Sequence, residues 1–320
     1  MLGNVPSMLT SHDHESLAQL QLLARSVVEG VTAGRHQSPH KGASAEFKEH
    51  RQYVRGDETR SIDWKLFGKT DRLFIRQHEE ETSLRAMVLV DQSGSMSYAG
   101  SRSNGLSKHH FAIRLAACLC TLLIRQQDAV GLGMCDTRLR QTIAPRSRTS
   151  HLSILLGALA NSRTGGETAL SQVLEEAASQ LKRRGLLVLI SDCFDDVQQL
   201  FSALRYFRHT GSEVVVFQVW DADELDFPFR QRTRFQSVEG VVTERTVDPP
   251  SLRQRYLQQV HQFRQQLAVG ASQNQIDWIS CTTEQDYTSI LLEYLNRRHG
   301  SPAQIARSSH QPLSDRETRG

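Results

Sequence analysis

The sequence predicts an α/β protein, a doubly wound and mainly parallel sheet with helices on both faces, and three observations carry that reading. The runs "RAMVLVD", "LLVLISD" and "SEVVVFQVWD" are apolar without alternation, as strands buried on both faces are. Helix-length segments separate them, the rhythm of β-α-β crossovers. All three runs end in an aspartate, and Asp91 and Asp192 stand where open α/β sheets place their ligands.

Taken in order, a helical pattern follows Ser16 in "ESLAQLQLLARSVVEGV" and is expected to break at Gly34, giving an N-terminal helical segment over 1–33. From 34 to 83 the chain is dense in charge and glycine, which predicts a small subdomain of short strands and loops. A larger domain is expected over 84–298. It opens with the strand "RAMVLVD" and the buried helix "LSKHHFAIRLAACLCTLLIRQQ", then the strand "AVGLGMCD" and the helix "HLSILLGALANS". A helix from Ala169 to about Arg183, the strand "LLVLISD", the helix "VQQLFSALRYFRHT" and the strand "SEVVVFQVWD" follow. A hairpin is inserted over about 229–248, with its turn near Glu239-Gly240. A proline-opened helix, "PPSLRQRYLQQVHQFRQQLAVGA", leads to the strand "IDWISCTT" and the helix "TSILLEYLNRR". The remainder, 299–320, is rich in Ser, Pro, Gln and Arg and reads as a disordered tail. The arrangement with this rhythm is Rossmann-like.

Composition narrows the function. A chain of 320 residues with 38% hydrophobic and 23% charged residues can bury a sizeable core. A net charge of +3 is close to balance, and the basic residues of 51–72 are interleaved with Asp57, Glu58, Asp63 and Asp71, so nucleic acid is not indicated. The five cysteines form no zinc-type spacing and read as buried free thiols of a reducing compartment. There is no secretion-signal pattern, and the longest apolar stretch, Phe111 to Ile124, contains Arg114. A cytoplasmic protein with no direct membrane insertion is expected. The pairs His12/His14 and His109/His110 lack acidic or cysteine neighbours at ligand spacing and read as surface or helix-start residues.

Three pieces should meet beyond the strand ends: Asp91, Ser93 and Ser95 in "DQSGSM", the loop "TGGETAL" from Thr164 to Leu170, and Asp192 in "LISDCFDD". All offer oxygen, a donor set suited to a hard divalent cation. Each piece alone could be no more than a helix cap. Their order and placement together favour a metal site.

Here the chain resembles the von Willebrand factor A domain, whose metal-ion-dependent adhesion site is a D-x-S-x-S loop with a distant threonine and a distant aspartate. Carried over, the resemblance implies Asp91, Ser93, Ser95, Thr168 and Asp192 as ligands, with Thr164 a rival for the threonine. The ion implied is Mg²⁺, with Mn²⁺ or Ca²⁺ as alternatives. Many members have Asp-Gly where this chain has Asp192-Cys193. Upstream, "EFKEHRQYVRGDETRSIDWK" followed by "RLFIRQ" resembles the signature of the bacterial DUF58 family, and the likeness extends from about Gly34 to Arg298. In the signature, Trp64 is expected to pack on the sheet among locally paired charges.

The resemblance implies a metal-dependent protein-interaction module, an adaptor for a MoxR-type AAA+ ATPase and other von Willebrand A proteins in chaperone-like assembly. An acidic residue of the partner would complete the metal site. The competing reading is a metal-assisted, phosphatase-like hydrolase using Asp91 and Asp192. Against it stand the serine at position 93, where D-x-D-x-T nucleophile motifs need aspartate, and the absence of a G-x-S-x-G elbow or P-loop.

Overall fold

The computed structural model describes residues 16–36, 50–53, 64–70, 72–76, 84–178, 185–230, 233–236, 244–247 and 249–300. The chain divides into two compact units, one of 33–83 and one of 1–32 with 84–320. Ser16 opens helix α1 (Leu17–His36) with a capping box: its Oγ accepts from Gln19 N–H at 3.2 Å while Gln19 Oε1 accepts from Ser16 N–H at 2.9 Å. The helix passes through Gly34 instead of breaking there. Leu20, Ala24, Val27, Val28 and Val31 form one buried stripe, so α1 is part of the larger unit's core and not a segment apart.

In the smaller unit, β1 (His50–Gln52) and β2 (Phe74–Arg76) pair antiparallel, with Arg51 opposite Ile75. Between them lies helix α2 (Trp64–Thr70), where short strands and loops were expected. Trp64, expected to pack on the sheet, is 63% exposed at the helix start, its ring edge-on to Phe67. Residues 54–63 and 77–83 of the signature lie outside the described residues.

The larger unit follows the predicted alternation. Strand β3 (Arg85–Asp91) leads through a single 3-10 turn, Gly94–Ser97, to α3 (Lys108–Arg125), then β4 (Ala129–Cys135) and β5 (Leu139–Arg146). Helices α4 (Thr149–Ala160) and α5 (Leu170–Ala178) precede β6 (Leu186–Ser191), α6 (Val197–His209) and β7 (Glu213–Trp220). A short helix α7 (Ala222–Asp226) comes before the hairpin β8 (Thr233–Gln236) and β9 (Glu244–Val247), whose turn is outside the described residues. Helix α8 (Pro249–Gln273), β10 (Asp277–Thr282) and α9 (Tyr287–Gly300) complete it. The expected tail, from 301 on, is outside the described residues.

The six-stranded sheet has the order β10-β7-β6-β3-β4-β5, parallel throughout except for β5, which pairs antiparallel with β4. Side chains alternate between two cores, as the pleat requires. Ala86, Val88 and Val90 face α1, α3, α4 and α9, whereas Met87 and Leu89 face α5, α6 and α8. Consequently β3 and β6 are neighbours whose following helices, α3 and α6, cover opposite faces. The crevice beyond their carboxyl ends is the switch point of a doubly wound sheet. All five cysteines are buried, and none forms a disulfide. No helix among the described residues is long and apolar enough to cross a membrane.

Candidate metal centre at the switch point

Asp91 is the last residue of β3, and its side chain is fully buried. Its Oδ1 accepts from Ser93 N–H at 2.8 Å and its Oδ2 from the Ser191 hydroxyl at 2.5 Å, so loop and neighbouring strand both hold it. The 3-10 turn that follows curls Ser93 and Ser95 toward each other until their Oγ atoms are 3.1 Å apart. Main-chain bonds fasten this loop to the next: Gly165 N–H donates to Gln92 O at 2.8 Å and Gly94 N–H to Gly166 O at 2.9 Å. Gly166 has a φ of +91°, a conformation that L side chains rarely adopt, and a Cβ there would sit a tight 3.0 Å from the Asp136 carboxylate. Thr168, partly buried, sits between this anchor and Leu170, whose N–H donates to Asp195 Oδ2 at 2.9 Å. Thr164 lies just before the glycine pair on the same segment.

Asp192, one residue beyond β6, is fully buried as well. Its Oδ1 accepts from Phe194 N–H at 3.2 Å. The following residue, Cys193, takes the left-handed conformation with φ +59°, so this chain reaches with cysteine the backbone shape glycine adopts most readily. Ser191 supports that turn, its Oγ accepting from Cys193 N–H at 2.9 Å.

The structure therefore brings Asp91, Ser93 and Ser95 into one loop, fastens the Thr168 segment to it, and sets Asp192 beside it. It also adds residues that the sequence motifs do not reveal. Ser191 ties the two central strands. Lys108, the first residue of α3, has a fully buried side chain whose ammonium donates to Asp192 Oδ2 at 2.8 Å and to Glu224 Oε1 at 2.6 Å. The Phe194 ring lies over it, 4.8 Å from Nζ. Nothing in "LSKHHF" marks a lysine at a helix start as internal. Glu224 belongs to α7, a helix of five residues with no apolar stripe to announce it. It closes a capping box by accepting from Asp221 N–H with Oε2. Asp221 and Asp223 in turn accept from the backbone of the loop after the 3-10 turn, at Gly100 N–H and Ser101 N–H. A Cβ on Gly100 would collide with the Asp221 carboxylate, so that loop and α7 are closely fitted.

Electrostatics follow from this burial. Asp91 is pushed up to about 7 by burial and by the charge of Asp192, against the hydrogen bonds from Ser191 and Ser93 that favour its ionised form. Burial by itself would lower Lys108, but the charges of Asp192 and Glu224 outweigh it and hold the ammonium above the ordinary lysine value. Glu224 is raised, chiefly by burial, with Lys108 opposing. His109 is buried at the start of α3 and not on the surface, its Nε2 3.3 Å from Ser162 Oγ, and burial pushes it down to about 3. It takes no part in the centre.

The donors present suit a hard cation. Octahedral Mg²⁺ with bonds of about 2.0–2.1 Å separates adjacent oxygen ligands by about 3 Å. Ser93 Oγ and Ser95 Oγ, at 3.1 Å, already have that separation next to a carboxylate whose charge burial disfavours.

Comparison with known proteins places this geometry in context. A family model described as "Protein of unknown function DUF58" matches residues 49–266. "Uncharacterized protein Rv1480" of Mycobacterium tuberculosis is 24% identical over 295 residues, covering 90% of each chain, and "Uncharacterized protein Mb1516" of Mycobacterium bovis has the same figures. Among solved structures, BatB from Bacteroides thetaiotaomicron has a TM-score of 0.43 at 15% identity, covering 68% of this chain and 100% of its own. The SpRpn10 VWA domain has a TM-score of 0.39 at 11% identity, covering 65% and 94%.

Proposed function

The chain belongs to the DUF58 family and carries a doubly wound α/β domain, and on that premise we propose that it is a von Willebrand A-like, metal-dependent protein-interaction module, an adaptor for a MoxR-type AAA+ ATPase. The observation that carries the reading is the Ser93–Ser95 hydroxyl pair at ligand spacing beside the buried Asp91. Asp91, Ser93, Ser95, Thr168 and Asp192 would hold the ion. Hydroxyl ligands are neutral, so a cation held there keeps charge to offer to a carboxylate from outside. The chain's part is to orient these oxygens and to keep the loops rigid, through Gly94–Gly166, Gly165–Gln92 and Ser191–Asp91. A partner's Asp or Glu would complete the ligand set, which would make docking depend on the ion.

The module reading is preferred to the hydrolase because position 93 is serine where D-x-D-x-T nucleophile motifs need aspartate, and because the sequence has neither a G-x-S-x-G elbow nor a P-loop. Capture of a purified MoxR-type AAA+ ATPase tests the proposal. Asp91→Ala and Thr168→Ala are expected to keep the circular-dichroism spectrum and to lose most of the Mg²⁺-dependent capture. Capture that survives both substitutions and a chelator places docking elsewhere. Mg²⁺-dependent phosphatase turnover lost in Asp91→Ala establishes the hydrolase instead.

A further inference from the structure

Lys108 is a fully buried cation with two carboxylate partners, one inside the candidate centre and one outside it. On the inner side, Asp192 Oδ2 accepts from its ammonium at 2.8 Å. On the outer side, Glu224 Oε1 accepts at 2.6 Å from a side chain still 14% exposed. A lone buried ammonium would be strongly disfavoured, and the two carboxylates are what make it tolerable. A divalent cation among the same oxygens would repel it over a few ångströms of low-dielectric interior.

We propose that Lys108 is a resident cation of the centre that competes with a divalent ion for Asp192, and that Glu224 is the acceptor that keeps the ammonium when Asp192 is drawn to the ion. This rests on the metal-site reading above and deepens it, since it makes affinity for the ion a property of Lys108 and Glu224 as well as of the ligands. Glu224 also caps Asp221, and Asp221 and Asp223 hold Gly100 and Ser101, so the shift of the ammonium is felt in the 98–105 loop. Phe194 stands over the ammonium and edge-on to Trp220, with ring centroids 5.4 Å apart, which gives the shift an optical reporter.

The test is binding of Mn²⁺ alone to the full chain, by calorimetry at one fixed pH, with Mg²⁺ titrations followed by tryptophan fluorescence. Lys108→Met is expected to bind Mn²⁺ at least tenfold more tightly than the wild type. Glu224→Gln, which removes the charge of the outer acceptor, is expected to bind at least threefold more weakly and to alter the fluorescence response to Mg²⁺. Should Lys108→Met fail to fold, Glu224→Gln decides, because wild-type or tighter affinity there overturns the competition. Equal affinities in wild type and both variants also overturn it, while leaving the metal centre standing. Absence of Mn²⁺ binding in wild type and Lys108→Met alike overturns the competition and the centre together. Normal Mn²⁺ responses with metal-independent capture of the ATPase overturn only the docking reading.

Discussion

At the scale of single residues, Asp91 combines two environments that pull against each other. The Ser93 N–H and the Ser191 hydroxyl favour the carboxylate, whereas burial and the charge of Asp192 oppose it and win, leaving the group at about 7. The folded state thus holds a proton that an unfolded aspartate, near 3.9, has already lost between about pH 4 and pH 7. Metal-free stability should therefore fall across that window as pH rises, and stay flat above it on this group's account. Each tenfold displacement of a proton equilibrium is worth about 1.4 kcal/mol. Asp91→Asn is accordingly expected to be more stable than the wild type at pH 8 in a chelator, by a few kcal/mol, with the gap closing near pH 4. Urea unfolding at the two pH values measures it, and a gap independent of pH would refute the assignment. Among the site residues, Asp91, Ser93 and Ser95 were legible because their spacing is local. Lys108, Ser191 and Glu224 were not, since their roles arise from contacts across 84, 100 and 116 positions of sequence.

At the scale of elements, legibility followed burial. Strands β3 and β6 are buried on both faces, and their sequences are accordingly continuous apolar runs. Strand β5 has no such signature because it is the antiparallel edge, largely exposed and polar, and it contains Pro145, a residue that only an edge strand accommodates. Helix ends carry their own signals. Asp196 caps α6 by accepting from Gln199 N–H at 2.9 Å on the protein surface. Asp196→Ala is expected to lower unfolding stability by about 1 kcal/mol and to leave Mn²⁺ affinity unchanged. Chemical denaturation alongside metal titration separates those effects, and a change in affinity would show that α6 is coupled to the centre.

For the whole molecule, the texture of the sequence changes at 34 and 84, and the smaller unit spans 33–83, while α1 contributes Leu20, Ala24, Val27, Val28 and Val31 to the core beside α9. Its stripe was visible in sequence, but the surface it covers is built some fifty residues and more downstream. The buried cysteines give this architecture a consequence of another kind. Cys118, Cys120 and Cys281 lie in the core on one side of the sheet and Cys193 in the core on the other, and burial pushes Cys120 up to about 12 and Cys193 well above the usual thiol range. In the native protein these sulfurs are buried, and burial keeps Cys120, Cys193 and Cys281 protonated, so an alkylating reagent has to wait for the protein to open. Mass spectrometry of the alkylated thiols then acts as a clock on each side separately. One common rate means the sheet comes apart as a unit, and two rates mean that one layer of helices peels away first.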